Sequence, residues 1–191
     1  MGSFNNRSIL YLHGYDSSSQ GEKAQHLRRL YPQNRLLIPD LPLDPLACMT
    51  LSEDTLRTAS NDTIIIGASL GGFYAYYLAA KFKKDCLLIN PVFDPATEAK
   101  KLFTAEDDPE KKKVFLHAAN MYLGYSSNLK GMRHPVNCFV ALGKQDTIID
   151  PEASALQFTD AMIKHYDDDH YMHKAFETLM NEFEVYLGER F

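Results

Sequence analysis

The sequence has few cysteines, no strong excess of charge and no long apolar run, and each absence excludes a class of protein. Its three cysteines (Cys48, Cys86 and Cys138) are odd in number and widely spaced, so we expect buried reduced thiols rather than disulfides or metal ligands. A formal net charge of −5 gives no basic footprint for nucleic acid or an anionic membrane. Neither a run of about 18 apolar residues nor a signal-peptide pattern is present. We therefore expect a cytoplasmic protein without nucleic-acid or membrane partners.

The sequence does contain a regular alternation of strand and helix patterns over 191 residues, of which 45% are hydrophobic. This length fits one domain, residues 1–191, with a sizeable buried core. Six apolar segments predict strands at residues 8–12, 35–38, 63–66, 86–89, 135–142 and 162–166. The alternation predicts an α/β fold with a mainly parallel six-stranded sheet and helices on both faces. Ligands of such sheets bind above the carboxyl ends of the strands.

Several local patterns predict where helices begin. Asp-Pro pairs can supply an N-cap and the first helical residue, and those at Asp44, Asp108 and Asp150 predict helix starts. Ser19 and Glu22 have the spacing of a capping box, which predicts a further helix start. The helix after Asp150 is expected to end near residue 160. Between about residues 92 and 134 there is no strand pattern, so we expect a helical, cap-like insertion close to the functional site.

The segment Gly67-Ala68-Ser69-Leu70-Gly71 matches the G-x-S-x-G pattern of a nucleophile elbow. A β-branched apolar strand precedes it and a helical pattern follows it, which is the context that the motif requires. The serine of such a turn has a strained backbone, and its neighbours two positions away have no room for a Cβ atom. The alternative is a glycine-rich turn with a chance serine, and the flanking strand and helix favour the elbow. The sequence thus predicts Ser69 as a catalytic nucleophile.

A serine nucleophile needs a histidine base and a carboxylate that orients the base. Asp146 follows the fifth predicted strand and His170 follows the sixth. This is the chain order that accompanies the elbow motif. We therefore predict a triad of Ser69, Asp146 and His170.

Other residues remain candidates for both partners. Asp150 is better explained as an N-cap, and Asp94 follows an earlier strand, so Asp146 is favoured as the acid. His173 is the main alternative to His170, and it falls in the following helical segment. The cluster at residues 167–169 consists of three aspartates, which could bind a divalent metal. It has no calcium-loop spacing, so we expect a solvated turn and neither a metal nor a cofactor.

The negative charge of an acyl-transfer intermediate needs two hydrogen-bond donors. We expect them to be the backbone N–H of Leu70, at a helix N-terminus, and that of Tyr15, in the loop after the first strand. Apolar side chains of the insertion could line an acyl pocket, although half or more are expected to be core: Phe93, Phe103, Phe115, Met121, Tyr122 and Tyr125. The lysines at residues 111–113 could contact phosphates, but a solvated helix face is favoured.

These motifs resemble those of the α/β-hydrolase superfamily and, within it, of the small bacterial YqiA-like esterases. The resemblance covers nearly the whole chain. Its two most specific segments are residues 10–18 (LYLHGYDSS) and 67–75 (GASLGGFYA), and the shorter ones are residues 38–42, 90–91, 143–146 and 169–170. The family usually has Gly or Asn just before the histidine, where this sequence has Asp169.

The resemblance implies a reduced α/β-hydrolase fold that lacks the first strands of the superfamily. It implies a cap-poor hydrolase with the triad Ser69, Asp146 and His170. We predict that it is a serine esterase that cleaves carboxylic esters of short to medium acyl chains without a cofactor. Its partner would be a small ester or thioester. An acyl-CoA or carrier thioesterase and a non-catalytic binding protein with the same fold are the alternatives.

Overall fold

The computed structural model describes residues 6–132, 134–135 and 137–188, without the side chains of residues 102 and 103. The strands within this range are β1 (Ile9–Leu12), β2 (Leu36–Leu37), β3 (Ile64–Ala68), β4 (Cys86–Ile89), β5 (Cys138–Gly143) and β6 (Met162–Tyr166). They form one parallel sheet in the order β2-β1-β3-β4-β5-β6, which confirms the predicted fold class. The chain runs outward from β1 to β2 and returns to β3 on the other side of β1. The boundary between β1 and β3 is therefore the switch point at which such sheets bind ligands.

Helices cover both faces of the sheet. They are α1 (Glu22–Leu30), α2 (Pro45–Thr58), α3 (Leu70–Phe82), α4 (Pro95–Ala105), α5 (Pro109–Leu129), α6 (Pro151–Ala155) and α7 (Phe176–Gly188). Successive residues of a strand point to opposite faces, and the core is divided accordingly. Ile65 and Leu88 pack with α2, α3 and α5 on one face, whereas Ile64 and Leu87 pack with α1 and α7 on the other.

The predicted capping box at the start of α1 is wrong. The helix begins at Glu22, and its N-cap is Gly21, without a side-chain hydrogen bond. The backbone N–H of Ser19 instead donates to Asp40 Oδ1 at 2.6 Å, across 21 positions of sequence. The N–H of Ser19, which a capping box would pair with Glu22, is therefore bound by the distant residue Asp40 instead.

Other predicted boundaries shift as well. β1 begins at Ile9 rather than at residue 8, and β3 spans Ile64–Ala68 rather than residues 63–66. β2 shortens to Leu36–Leu37 because a 3-10 helix, Gln33–Arg35, occupies the residues before it. β5 begins at Cys138 rather than at residue 135, and residue 136 lies outside the described residues. α6 ends at Ala155 rather than near residue 160.

The predicted insertion, residues 92–134, contains α4 and α5 in its described part, and the sequence predicts only α5. Asp108 caps α5, as predicted, by accepting two backbone N–H groups. α4 was not predicted, and Asp94 caps it by accepting the N–H of Thr97 at 3.1 Å. The two helices pack against each other, and both contribute residues to the cavity described below.

Two expectations from composition can be compared with the structure. The side chains of Cys48, Cys86 and Cys138 are all buried in the core, as predicted. No helix in the described part of the chain is long and apolar enough to span a membrane.

Candidate active site

Ser69 lies between β3 and α3, at the carboxyl end of the sheet. Its backbone has φ 53° and ψ −123°, a conformation that residues with a Cβ atom rarely adopt, so the predicted strain is confirmed. Its N–H donates to the carbonyl of Ile89 at 2.9 Å, and its own carbonyl accepts the N–H groups of Gly72 at 2.9 Å and Val92 at 3.0 Å. These bonds hold the strained turn against the end of β4.

Gly67 and Gly71 pack too tightly for any side chain. A Cβ atom on Gly67 would collide with the carbonyl oxygen of Gly71, and one on Gly71 would collide with that of Leu12. The backbones of β1, β3 and α3 therefore meet beside Ser69 without intervening side chains. This confirms the prediction that the neighbours of the serine have no room for Cβ atoms.

We expect the variant Gly71→Ala to be destabilised by about 3 kcal/mol or more, because a backbone oxygen cannot move aside as a flexible side chain can. Gly124, on α5, is the matched control, since a Cβ atom there would meet nothing within 4 Å. Gly124→Ala should be neutral or stabilising by up to about 1 kcal/mol, because alanine favours the helix. Urea unfolding measures both variants, and equal stabilities would contradict the tight packing at Gly71.

Asp146 and His170 form a hydrogen-bonded pair, with 2.7 Å between Asp146 Oδ2 and His170 Nδ1. They follow the adjacent parallel strands β5 and β6, which bring both to the same edge of the sheet. Asp146 Oδ1 accepts the backbone N–H groups of Ile148 at 2.8 Å and Ile149 at 2.9 Å.

Burial of Asp146 by itself raises the pKa of its carboxyl group, since its side chain is only 1% exposed. The bond from His170 and the two backbone N–H groups outweigh burial and hold the pKa below its ordinary value. An ionised carboxylate only accepts hydrogen bonds. His170 therefore donates through Nδ1, and its Nε2 is left to accept a proton.

The alternative candidates have other partners. His173 Nδ1 lies 2.8 Å from Glu22 Oε1. Asp94 and Asp150 accept backbone N–H groups at the starts of α4 and α6. The structure thus pairs Asp146 with His170, whereas the alternative candidates form hydrogen bonds or ion pairs with other residues.

The three aspartates before His170 have different environments. Asp167 accepts a hydrogen bond from the Gln145 side chain at 2.7 Å. Asp168 is only 2% exposed, and its two oxygens accept the N–H of Asp169 and those of the two residues before α7. The predicted solvated turn is therefore wrong for Asp168. Within residues 6–132, 134–135 and 137–188, no group of three His, Cys, Asp or Glu side chains could hold a metal ion.

Asp168 should stabilise the loop that carries His170 in a pH-dependent way. Burial by itself raises the pKa of Asp168, but three backbone N–H donors outweigh it and hold the pKa below its ordinary value. Because the pKa is lowered on folding, the stabilisation is present above the unfolded-state pKa of about 4 and is lost as pH falls through the folded-state pKa.

We therefore expect Asp168→Ala to lower the free energy of unfolding at pH 7 by about 2–4 kcal/mol. The gap from wild type should narrow as the pH falls below about 4. Asp167→Ala, at an exposed position, should change stability by about 0.5 kcal/mol or less. Urea unfolding at several pH values tests this, and a gap that is independent of pH would contradict it.

A cavity of about 1030 Å³ is lined by both Ser69 and His170. Of the side chains predicted for an acyl pocket, Phe115 and Tyr122 line it, together with Cys48 and Tyr74. The other predicted members do not line it or are not described: Phe93, Met121 and Tyr125 lie elsewhere, and the side chain of Phe103 lies outside the described residues. The cavity therefore extends from the serine towards α2, α3 and α5.

His13 holds the loop after β1 against the serine. The N–H of Leu41 donates to His13 Nε2 at 3.0 Å. The ring proton is therefore on Nδ1, which lies 2.9 Å from the carbonyl oxygen of Gly14. Gly14 packs directly on Ser69, since a Cβ atom on Gly14 would lie 3.0 Å from Ser69 Cβ and 3.6 Å from Ser69 Oγ.

Tyr15 and Leu70, the residues predicted to supply oxyanion donors, both line the cavity. Leu70 is the first residue of α3, so its N–H has no partner within the helix. Tyr15 directly follows Gly14 in the loop that contacts the serine.

Three buried polar residues of this region were not assigned a role from the sequence: His13, Asn90 and Asp168, which are 5%, 1% and 2% exposed. Each follows a strand within two residues. A polar residue at that position is a usable signal of a buried contact, but it does not indicate the partner. The partners lie on other loops, which only the folded chain brings close.

A family model described as "Uncharacterised protein family (UPF0227)" matches residues 8–187 of the chain. The chain belongs to this family. The match spans the sheet from β1 to β6 and includes Ser69, Asp146 and His170.

Solved structures of other proteins share the fold of this UPF0227 member at low sequence identity. Est1E from Butyrivibrio proteoclasticus has a TM-score of 0.70 at 15% identity, over 96% of this chain and 87% of that one. A structure of the metagenome-derived lipolytic enzymes LipS and LipT has a TM-score of 0.72 at 13% identity, over 93% and 92%. The monoacylglycerol lipase of Paleococcus ferrophilus has a TM-score of 0.70 at 14% identity, over 98% and 96%. These three structures show that the chain shares its α/β fold with proteins of low sequence identity.

Proposed function

We propose that this protein is a serine hydrolase that cleaves carboxylic esters through an acyl-enzyme intermediate. The observation that carries the proposal is the Asp146–His170 hydrogen bond of 2.7 Å, together with a strained Ser69 that lines the same cavity as His170. The names of two of the structurally similar proteins, lipolytic enzymes from a metagenome and a monoacylglycerol lipase, agree with this reaction class.

In the proposed reaction, Ser69 Oγ attacks the acyl carbon while His170 Nε2 takes the hydroxyl proton. Asp146 keeps the other imidazole proton on Nδ1 and stabilises the positive charge that develops on the ring. The N–H groups of Leu70 and Tyr15 bind the oxyanion, each contributing a few kcal/mol to transition-state stabilisation. His170 then protonates the leaving alcohol, which departs. Water activated by the same histidine finally releases the acid from the serine.

The lining of the cavity supports an apolar acyl group as the substrate. Phe115, Tyr122 and Leu70 form part of the wall of the cavity that Ser69 lines, and the volume of about 1030 Å³ leaves room for a chain and an alcohol group. We propose esters of short to medium acyl chains. The lysines at 111 and 113 pair with Glu106 and Glu110, and none of residues 111–113 lines the cavity, so these lysines do not favour a CoA thioester.

A panel of p-nitrophenyl esters of increasing chain length, run beside matched acyl-CoA thioesters, tests this proposal. We expect the highest kcat/KM with short to medium esters. A maximum confined to long-chain acyl-CoA would assign the thioesterase activity instead. No turnover of any substrate, with an unmodified Ser69 after exposure to a fluorophosphonate probe, would indicate a binding protein.

A further inference from the structure

Asn90 is a buried polar residue at the carboxyl end of β4, between the serine and the Asp146–His170 pair. Its side chain is enclosed by protein, and every one of its polar groups has a backbone partner. The side-chain oxygen accepts the N–H of Gly143 at 2.7 Å. The side-chain nitrogen donates to the carbonyl oxygens of Asp169 at 3.1 Å and His170 at 3.0 Å. One amide thus joins the loop after β5 to the loop after β6.

The same segment of chain holds the serine. Ile89, the residue before Asn90, accepts the N–H of Ser69, and Val92 donates its N–H to the carbonyl of Ser69. The N–H of Asn90 itself donates to Ala141 in β5 at 2.9 Å. Residues 89–92 therefore bind the nucleophile by its backbone and the other two loops by the Asn90 side chain.

The hydrogen bond between Asn90 and Gly143 lies close to Asp146 in the chain. Gly143 lies three residues before Asp146 and accepts its N–H at 3.1 Å. The two loops also touch by their backbones, since a Cβ atom on Gly143 would lie 2.5 Å from the carbonyl oxygen of Asp169. With so little space between the loops, loss of the Asn90 bonds would shift Asp146 and His170 relative to Ser69.

We propose that Asn90 is a positioning residue that fixes the Asp146–His170 pair relative to Ser69; this inference rests on the proposed hydrolase function. Only an amide of this size supplies both the acceptor and the two donors. An aspartate would place a carboxylate against two carbonyl oxygens. The backbone of Asn90 has φ 43°, which asparagine and glycine adopt more readily than other residues.

Two variants distinguish the contribution of the Asn90 side-chain amide from that of its backbone conformation. Asn90→Gly keeps the positive φ and removes the side chain, whereas Asn90→Asp keeps its size and its acceptor and removes both donors. We expect kcat to fall about 100-fold in each, with KM within about threefold of wild type, because a shift of about 1 Å impairs proton transfer more than binding. If Asn90→Gly does not fold, Asn90→Asp supplies the same measurement.

Asn137 provides the matched control for a buried asparagine. It precedes β5 at the opposite end of the sheet and donates to Asp85 at 2.8 Å. Asn137→Ala should lower Tm, as the Asn90 variants do, and leave kcat unchanged. A folded Asn90→Gly or Asn90→Asp protein with wild-type kcat would overturn the positioning role.

The proton NMR signal of His170 Nδ1–H, assigned by its absence in His170→Gln, gives a readout that does not depend on turnover. It should be present in wild type and Asn137→Ala, and shifted or lost in both Asn90 variants. If wild type neither turns over esters nor reacts with a fluorophosphonate, the proposed function fails, and the NMR signal still decides whether Asn90 positions the pair. An unchanged signal in the Asn90 variants contradicts the inference whatever the activity.

Discussion

Ser69→Ala should lower kcat/KM for ester hydrolysis by about 10⁴-fold or more, because the variant has no nucleophile and no acyl-enzyme can form. The folded structure should be retained, since alanine fits the space of serine and the strained turn is held by backbone hydrogen bonds to Ile89, Gly72 and Val92. The measurement is the initial rate of p-nitrophenyl ester hydrolysis, together with labelling by a fluorophosphonate probe followed by mass spectrometry.

Ser17→Ala is the control for this experiment, because Ser17 lines the same cavity but lies outside the elbow. It should react with the probe and hydrolyse esters at the wild-type rate. The reaction would have to proceed through another residue if Ser69→Ala kept more than about a hundredth of wild-type activity, since the oxyanion donors alone give much less.

Asp146→Asn should lower kcat by about 10³- to 10⁴-fold with little change in KM. The substitution preserves size, so the side-chain oxygen can still accept the N–H groups of Ile148 and Ile149. The new amide nitrogen would face His170 Nδ1, which must then accept a hydrogen bond instead of donating one. The imidazole proton would move to Nε2, and the ring could no longer take the proton of Ser69.

Asp150→Asn is the matched control for the loss of a carboxylate in the same loop region. Asp150 caps α6 through two backbone N–H groups, and asparagine caps a helix about as well. We expect wild-type kcat and a Tm close to that of wild type. Steady-state kinetics measures kcat and KM for both variants. An equal loss of activity in Asp146→Asn and Asp150→Asn would contradict the proposal that Asp146 is the acid of the triad.

The Ser69 turn could be predicted because its constraints are local. Strand, turn and helix patterns surround the serine within a few residues, and the exclusion of a Cβ atom at Gly67 follows from the turn itself. At Gly71 the excluding atom is the carbonyl oxygen of Leu12, which belongs to β1 and is close only in the folded chain. The same reasoning located the capped starts of α2, α5 and α6 and the strand bounds of β4 and β6. Within a single helix or strand, the spacing of apolar side chains determines which type of secondary structure forms.

The predictions are wrong where a polar group forms its hydrogen bond with a distant residue instead of a neighbour in sequence. The sequence pattern predicts a capping box at Ser19, but the N–H of Ser19 donates to Asp40, which follows β2 and lies close to Ser19 only in the folded chain. Asp168 was expected in solvent, but it is buried beneath the start of α7. The local sequence around each residue is compatible with both outcomes, and the tertiary contacts decide.

From the sequence alone follow the alternating α/β architecture and the position of Ser69 on a tight turn, because both depend on patterns of a few consecutive residues. Only the tertiary structure decides that His170 rather than His173 faces Asp146, and that Asn90 joins their two loops. These two histidines lie three positions apart in a polar segment. His170 contacts Asn90 and Asp146, in the loops after β4 and β5, whereas His173 contacts Glu22 at the start of α1. Bonds between segments that are 24 to 80 residues apart leave no periodic pattern in the chain.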